Sequence, residues 1–399
     1  MTTHLYLLAR NATDSVRVGF LPAAARLDLR VTVLTDHPEE HQYLDPSVEV
    51  LDCDVRDFHV VITRISTHRR PDAILSNSDH LQTQASLAAA YFGLPGKIWQ
   101  AAFRTKDKAE LRRHLAAAGA DLVWSTEVPP GHDAQLLTHR RVPYPCVVKP
   151  REGVASEDVF LVGDADELVH RCTEVQARRP NTALVVEEYL PGALRSLETL
   201  GDGRVRHLLG GFHTELSPPP HFIETRMRFV HGHPAKEVEQ VLAQLDALEV
   251  GFGICHTEYV VDDDGQARII EVNYRAIGDH CDLLLADLLD IALFELILRT
   301  HLGEPLPTTL AFRTEGRARV EYPCADAAGT LTDAPTATDR TVDGVRLCYR
   351  PLREVSERHP LYRTNRDYLG VLTATGTDQA VVDRAAAGFL SDQHWEIVP

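Results

Sequence analysis

The stretch ICHTEYVVDDDGQARIIEVNYR, residues 254–275, decides the reading of this chain. Asp264-Gly265 is a strong hairpin signal between two β-branched runs, because a tight primed turn needs residues that tolerate positive φ. With those two residues at the turn centre, facing residues have numbers that add to the same total. Val261 then faces Arg268, Val260 faces Ile269 and Glu258 faces Glu271. A four-residue loop from Asp263 to Gln266 predicts the same register. Two carboxylates thus stand opposite each other, with Cβ atoms ~5 Å apart. The strand period of two adds Asn273 and Arg275 to the face of Glu271. Facing like charges destabilise a ladder unless one is protonated or a cation lies between them. Two carboxylates plus an amide oxygen suit Mg²⁺, with Mn²⁺ as a substitute, and Arg275 offers a rigid donor fork to phosphates or a carboxylate. A solvated hairpin with scattered polar residues is the plainer alternative, and the convergence of all four side chains argues against it.

Working outward, the first hundred residues alternate β-rich runs (HLYLLA, VTVLTD, VEVLDC, AILSNSD) with helical segments such as His80 to Phe92, which Gly93 and Pro95 close. This alternation predicts a parallel, doubly wound layer. No Gly-x-Gly-x-x-Gly follows the first strand, so a dinucleotide fingerprint is missing. Thr105 to Ala118 reads as one helix ending at Gly119, followed by the strand CVVKP, a polar loop REGVASE, the strand DVFLV and a helix, ADELVHRCTEVQA. ALVVEEYL and RSLETL flank PGA, and Ala235 to Glu249 is an amphipathic helix. Short strands, turns and a final helix make up the last ninety-odd residues.

Composition excludes several classes. Forty-one Lys and Arg against 58 Asp and Glu leave a net charge of −17, which argues against a broad nucleic-acid-binding face. The most apolar stretch, Asp282 to Leu302, carries Asp287, Asp290 and Glu295 and reads as an amphipathic helix, not a membrane span. MTTHLYLLAR lacks the pattern of a signal peptide. Seven scattered Cys without Cys-x-x-Cys predict neither disulfides nor a zinc ribbon, and a reducing, cytoplasmic setting. The His-rich stretch (His207, His213, His221, His231, His233) lacks zinc-ligand spacing, and His280-Cys281 reads as a helix start and a core thiol.

With these residues on the page, Glu258 followed by Glu271-Val272-Asn273-Tyr274-Arg275 resembles the metal motif of the ATP-grasp superfamily. Val147-Val148-Lys149-Pro150 resembles its "v-v-K-P" strand, and Asp107-Lys108 its "D-K" element, each with a Lys directed to ATP. Val186 to Gly192 (VEEYLPG) resembles the adenine hinge, and Glu198 the acid of the following strand. The resemblance spans about residues 105 to 300. It implies an α/β chain with α+β character in the grasp: a pre-ATP-grasp domain over 1–104, an ATP-grasp domain over 105–303 (lid about 105–186, catalytic part about 187–303) and a C-terminal α+β domain over 304–399. It further implies ATP contacts at Lys108, Lys149, Ser156, Glu187, Glu188, Tyr189 and Leu190, Mg²⁺ at Glu258, Glu271 and Asn273, and phosphoryl stabilisation by Arg275. Arg226 and Arg228, alternate residues of a strand, are candidates for holding a substrate carboxylate.

There are two departures from the family pattern. Glu157-Asp158 stands in the phosphate loop, in which Arg151 to Glu157 form the expected lid edge, where relatives carry basic residues or Gly. The acids are therefore expected to face solvent. Leu194 occupies the place of an acid near the ribose. The implied activity is an ADP-forming ligase that joins a small carboxylate, such as an amino acid, to an amine through an acyl phosphate, in peptide, antibiotic or siderophore biosynthesis. A biotin-carboxylase-like enzyme and a non-catalytic nucleotide-binding subunit are the alternatives. Small-molecule substrates, no nucleic acid, no membrane and a homodimer complete the expectation.

Overall fold

The computed structural model describes residues 3–42, 45–139 and 141–399. Met1 and Thr2, part of the leader reading, lie outside them. Four strands, β1 (His4–Leu8), β2 (Arg30–Thr35), β3 (Glu49–Asp52) and β4 (Ala73–Ser76), form a wholly parallel sheet in the order β3-β2-β1-β4. Helix Phe58–Ser66 lies in the crossover from β3 to β4, and helix Gln82–Tyr91 follows β4, the last strand of this sheet. Parallel neighbours need such crossovers, and the alternation in the sequence reflects them. Asp57 caps the first of these helices through the His59 amide, and Gly93 follows the second at φ 65°.

A second sheet, antiparallel, runs β5-β8-β6-β7, from β5 (Ser125–Val128), β6 (Cys146–Pro150), β7 (Phe160–Val162) and β8 (Leu184–Glu188). The amphipathic helix Ala165–Arg178 covers it, burying Leu168, Cys172 and Val175 against Cys146, Val148 and Val162. A ten-stranded sheet follows. Its path includes β9 (Leu194–Asp202), β11 (Gly211–Leu216), β12 (Glu224–Val230), β13 (Phe252–Val261) and β14 (Ala267–Asn273), with β10 (Arg206–Leu208) paired to β9. It continues without a break through β15 (Arg317–Glu321) into β20 (Gly370–Gly376), β18 (Val345–Pro351) and β17 (Thr338–Val342). A small sheet of β16 (Gly329–Asp333), β19 (Arg358–His359) and β21 (Glu396–Val398) lies beside it; β21, after the last helix, has no counterpart in the sequence reading.

The largest core joins the first and third sheets. Leu5, Leu7 and Val33 of the parallel sheet share one apolar cluster with Phe212, Met227 and Phe229 and with Leu285, Leu289, Phe294 and Ile297. Two helices are shorter than expected. Thr105 to Ala118 is not one helix: Trp99–Lys106 stops, and Asp107, in extended geometry, accepts the Ala109 and Glu110 amides to cap Lys108–Ala117. Asp282 to Leu302 divides into Cys281–Leu289 and Leu293–His301, because Asp290 is left-handed at φ 57°. Among the described residues no helix is long and apolar enough to cross a membrane. All seven Cys are free thiols.

Candidate active site

The β13–β14 hairpin sets Glu258 opposite Glu271. The register on the turn side differs from the expectation. Tyr259 faces Ile269, Val260 faces Arg268 and Val261 faces Ala267. Ile270 is the extra residue of a bulge, and it lines the neighbouring cleft. The loop therefore spans Asp262 to Gln266. It is held by Asp262, whose carboxylate accepts the Asp264 and Gln266 amides. A pairing rule without a bulge cannot give this offset, while the acid pair itself lies beyond the bulge and is unaffected.

Around this pair the fold gathers cations from separate elements. Lys108, the first residue of its helix, places Nζ 2.8 Å from Glu271 Oε1. Lys149, in β6, sits 2.7 Å from Glu187 Oε2 of β8, and Arg112 reaches the same oxygen at 3.0 Å. Lys149, Glu187 and Arg112 are all at least nine-tenths buried. Burial opposes ionisation of Glu187, but Arg112 and Lys149 override it and hold its carboxyl down at about 2. Lys149 is pushed below its ordinary value by burial and by Arg112. One anion thus serves two buried cations, so the cluster carries excess positive charge. Glu187 Oε1 has no partner. Lys108, Lys149, Glu187, Glu258 and Glu271 line one cleft together with Ser156, Glu188, Tyr189 and Leu190, while Arg112 stands behind Glu187. Leu194, in the place of the expected ribose acid, lines it too.

Beside this cleft, and sharing Ser156, Glu224, Glu258 and Glu271 with it, opens a second, polar cavity. Asn273 donates Nδ2 to Glu258 at 3.0 Å, which leaves its Oδ1 as a free acceptor. His256 stands between two acids, 2.7 Å from Glu198 and 3.3 Å from Glu258. Burial disfavours its charge, yet Glu198 and Glu258 raise it to about 10, so it is an imidazolium at neutral pH. Glu198 is fully buried and acts here as the partner of His256 and of Ser196 Oγ. Glu224 is pushed up to about 8 by burial and by Glu258. Arg275 is held by Asp79, at 2.7 Å through Nε and 2.6 Å through Nη2, and donates Nη1 to the Ala276 carbonyl.

Two expectations are corrected. Arg226 and Arg228 do not line either cavity among the described residues. Arg226 pairs with Glu215 and Glu321, and Arg228 contacts His213. Met227, between them, is the residue that reaches the second cavity. The acids of the phosphate loop do not both face solvent. Asp158 is buried and clamped by Arg178 at 2.9 Å and Arg179 at 3.0 Å. Glu157 pairs with Arg366 of the tail. These arginines neutralise both acids, so the loop needs no basic residue of its own. Ala155 and Ser156 are left-handed there, and Ser156 Oγ donates to the Phe222 carbonyl.

Arg112, His256, Asn77 and Asp79 are absent from the sequence reading. Arg112 had a signal: it stands four residues after Lys108, on the same helix face. His256 stands two before Glu258 on one strand face. Asn77 and Asp79 had none, since their partners lie almost two hundred residues away.

Comparison with known proteins agrees with this geometry. Residues 142–283 match the family described as ATP-grasp domain. The chain carries an ATP-grasp domain over those residues. Its fold is that of an L-amino acid ligase from Bacillus licheniformis, with a TM-score of 0.83 at 20% identity, over 100% of this chain and 99% of that one. A D-alanine–D-alanine ligase of an Anaeromyxobacter species is 30% identical over 181 residues, which are 42% of this chain and 56% of that ligase. The uncharacterized protein y4rH of Sinorhizobium fredii is 25% identical over 98% of this chain and 83% of its own length. Two of these three proteins are amino acid ligases by name.

Proposed function

We propose that the protein is an ATP-dependent, ADP-forming carboxylate–amine ligase acting on amino acids or other small carboxylic acids through an acyl phosphate. The observation that carries this reading is the continuity of two cavities through Glu258 and Glu271. One is lined by buried cations, the other by polar groups. A carboxylate is a poor electrophile, and phosphorylation makes it a good one. That transfer depends on positioning and on neutralising phosphate charge. The excess positive charge of Lys108, Lys149 and Arg112 suits a triphosphate, and the unpartnered Glu187 Oε1 suits an amine donor such as that of adenine. Glu258, Glu271 and Asn273 Oδ1 form an oxygen donor set that fits Mg²⁺, which would supply charge neutralisation at the phosphates. Among the described residues no three His, Cys, Asp or Glu side chains converge as a ready-made metal site, and in this reading Asn273 supplies the third oxygen. Arg275 has five N–H donors and spends three on Asp79 and Ala276, which leaves two for the transferring phosphoryl group. The phosphate loop is pinned to the tail by Glu157–Arg366 beside the junction of the cavities, where an acyl phosphate would need shielding from water. A division into an N-terminal part over 1–104, a grasp over 105–303 and a C-terminal part over 304–399 accords with this use of the cavities.

The test is direct. Purified protein with ATP, Mg²⁺ and pooled amino and carboxylic acids should release phosphate only when an amine and a carboxylate are both present, and the product mass should equal their sum less water. Bicarbonate-dependent ADP release without an amine would instead support the carboxylase alternative. Tight nucleotide binding without turnover would support a non-catalytic role.

A further inference from the structure

The parallel N-terminal sheet contributes no residue to the cation cluster, yet three side chains from the segments after its last strand, Asn77, Asp79 and Lys97, meet the backbone and side chains just past β14. Asp79 holds Arg275 through two nitrogens of the guanidinium. Asn77 accepts the Ala276 amide at 3.1 Å. Lys97 donates Nζ to the Tyr274 carbonyl and lies over the Tyr274 ring, 4.5 Å from its centroid. These contacts fall on three consecutive residues, Tyr274, Arg275 and Ala276, just after Asn273.

The clamp is itself braced. Gln82 accepts from Lys97 at 2.6 Å and donates to the carbonyls of Ser76 and Ser78 at 2.9 Å. It thereby fixes the loop that carries Asn77 and Asp79. Lys97 is 7% exposed, and among the described residues no carboxylate lies within ion-pair distance of it. A buried ammonium without a counter-ion is costly, and burial lowers this one to about 7. Met or Leu would fill the space without this cost but would donate nothing, whereas Lys97 satisfies the Tyr274 carbonyl. Asp79 is almost as enclosed, and Arg275 holds it ionised against burial. The guanidinium can therefore turn neither away from the cavity nor freely within it.

We propose that Asp79, Asn77 and Lys97 are positioning residues that aim Arg275 at the transferring phosphoryl group, so that the N-terminal domain completes the catalytic strand. This rests on the ligase reading, in which Arg275 contacts that group.

A double-mutant cycle tests it, with two readouts. Asp79→Asn should lower kcat about tenfold or more, as loss of orientation does, with the KM for the amine unchanged. It should also weaken calorimetric binding of the magnesium complex of a non-hydrolysable ATP analogue about threefold. In an Arg275→Gln background the same change should add nothing to either loss, because its effect passes through Arg275. Losses that multiply across the two backgrounds, or wild-type values for Asp79→Asn, would overturn the proposal. If Asp79→Asn does not fold, Asn77→Ser carries the same cycle with the same two outcomes. Should the wild-type protein turn over no substrate, the ligase reading fails on that result, and the affinity cycle still decides whether the clamp acts through Arg275.

Discussion

Replacing Glu187 by Gln removes one negative charge from between two buried cations while keeping the side chain's shape. In the wild type its Oε2 is 2.7 Å from Lys149 and 3.0 Å from Arg112, and all three groups are at least nine-tenths buried. Breaking a buried pair by deleting one partner costs ~3–5 kcal/mol, because the remaining charge is left uncompensated. For 399 residues the unfolding entropy is about 0.8 kcal/mol per degree, so each kcal/mol moves Tm by roughly 1 °C, and a fall of roughly 4–6 °C is expected in a thermal melt. The pH dependence has a definite sign. Without Glu187, Lys149 keeps burial and Arg112 as its neighbours, and both hold its folded pKa below the unfolded value. The unfolded variant then binds more protons than the folded one, so its stability rises with pH. The gap to wild type should narrow between pH 7 and pH 10. A polyanion should compensate as well, so MgATP should raise the variant's Tm by more than the wild type's. A melt within about 2 °C of wild type, with no pH trend, would refute the charge argument.

Other expectations follow from the same geometry. Glu271→Gln leaves the buried Lys108 without its 2.8 Å partner, so it should stay folded but melt a few degrees lower, and lose at least ~10²-fold in turnover, the order seen when a charge-stabilising group is removed; steady-state phosphate release measures it. Arg226→Met with Arg228→Met should leave kcat and every KM within about twofold, because both arginines point away from the cavities; an altered KM for a carboxylate would contradict that placement. Gly192→Ala should disturb the hinge, since Gly192 has φ 139° and an added Cβ would lie 2.6 Å from the Val261 carbonyl oxygen. A destabilisation of ~1–3 kcal/mol with weaker nucleotide binding is expected by chemical denaturation and calorimetry.

Local signals made much of this fold legible. The parallel N-terminal layer followed from alternating segments, and the acid pair followed from Asp264-Gly265 and strand periodicity. What escaped was set by distant partners. A bulge at Ile270 shifted the register near the turn, and no composition rule marks it. The cap at Asp107 was readable as Asp before a helical run, yet reading Thr105 to Ala118 as one continuous helix concealed the break. The burial of Asp158 depends on Arg178 and Arg179, at the far end of a helix twenty residues on. The alternation that put Arg226 and Arg228 on one face was right about the strand and silent about which face meets the cavity. Asp79 and Arg275 meet only because two sheets share a core, and no window of sequence contains both.

The central claim is that the opposed acids serve a phosphoryl transfer that activates a carboxylate for an amine. Mass spectrometry of a reaction with ¹⁸O-labelled carboxylate tests it most directly. An acyl phosphate passes one labelled oxygen to the released phosphate, so labelled phosphate should appear in proportion to the amide formed. Amide formation with wholly unlabelled phosphate would contradict the account.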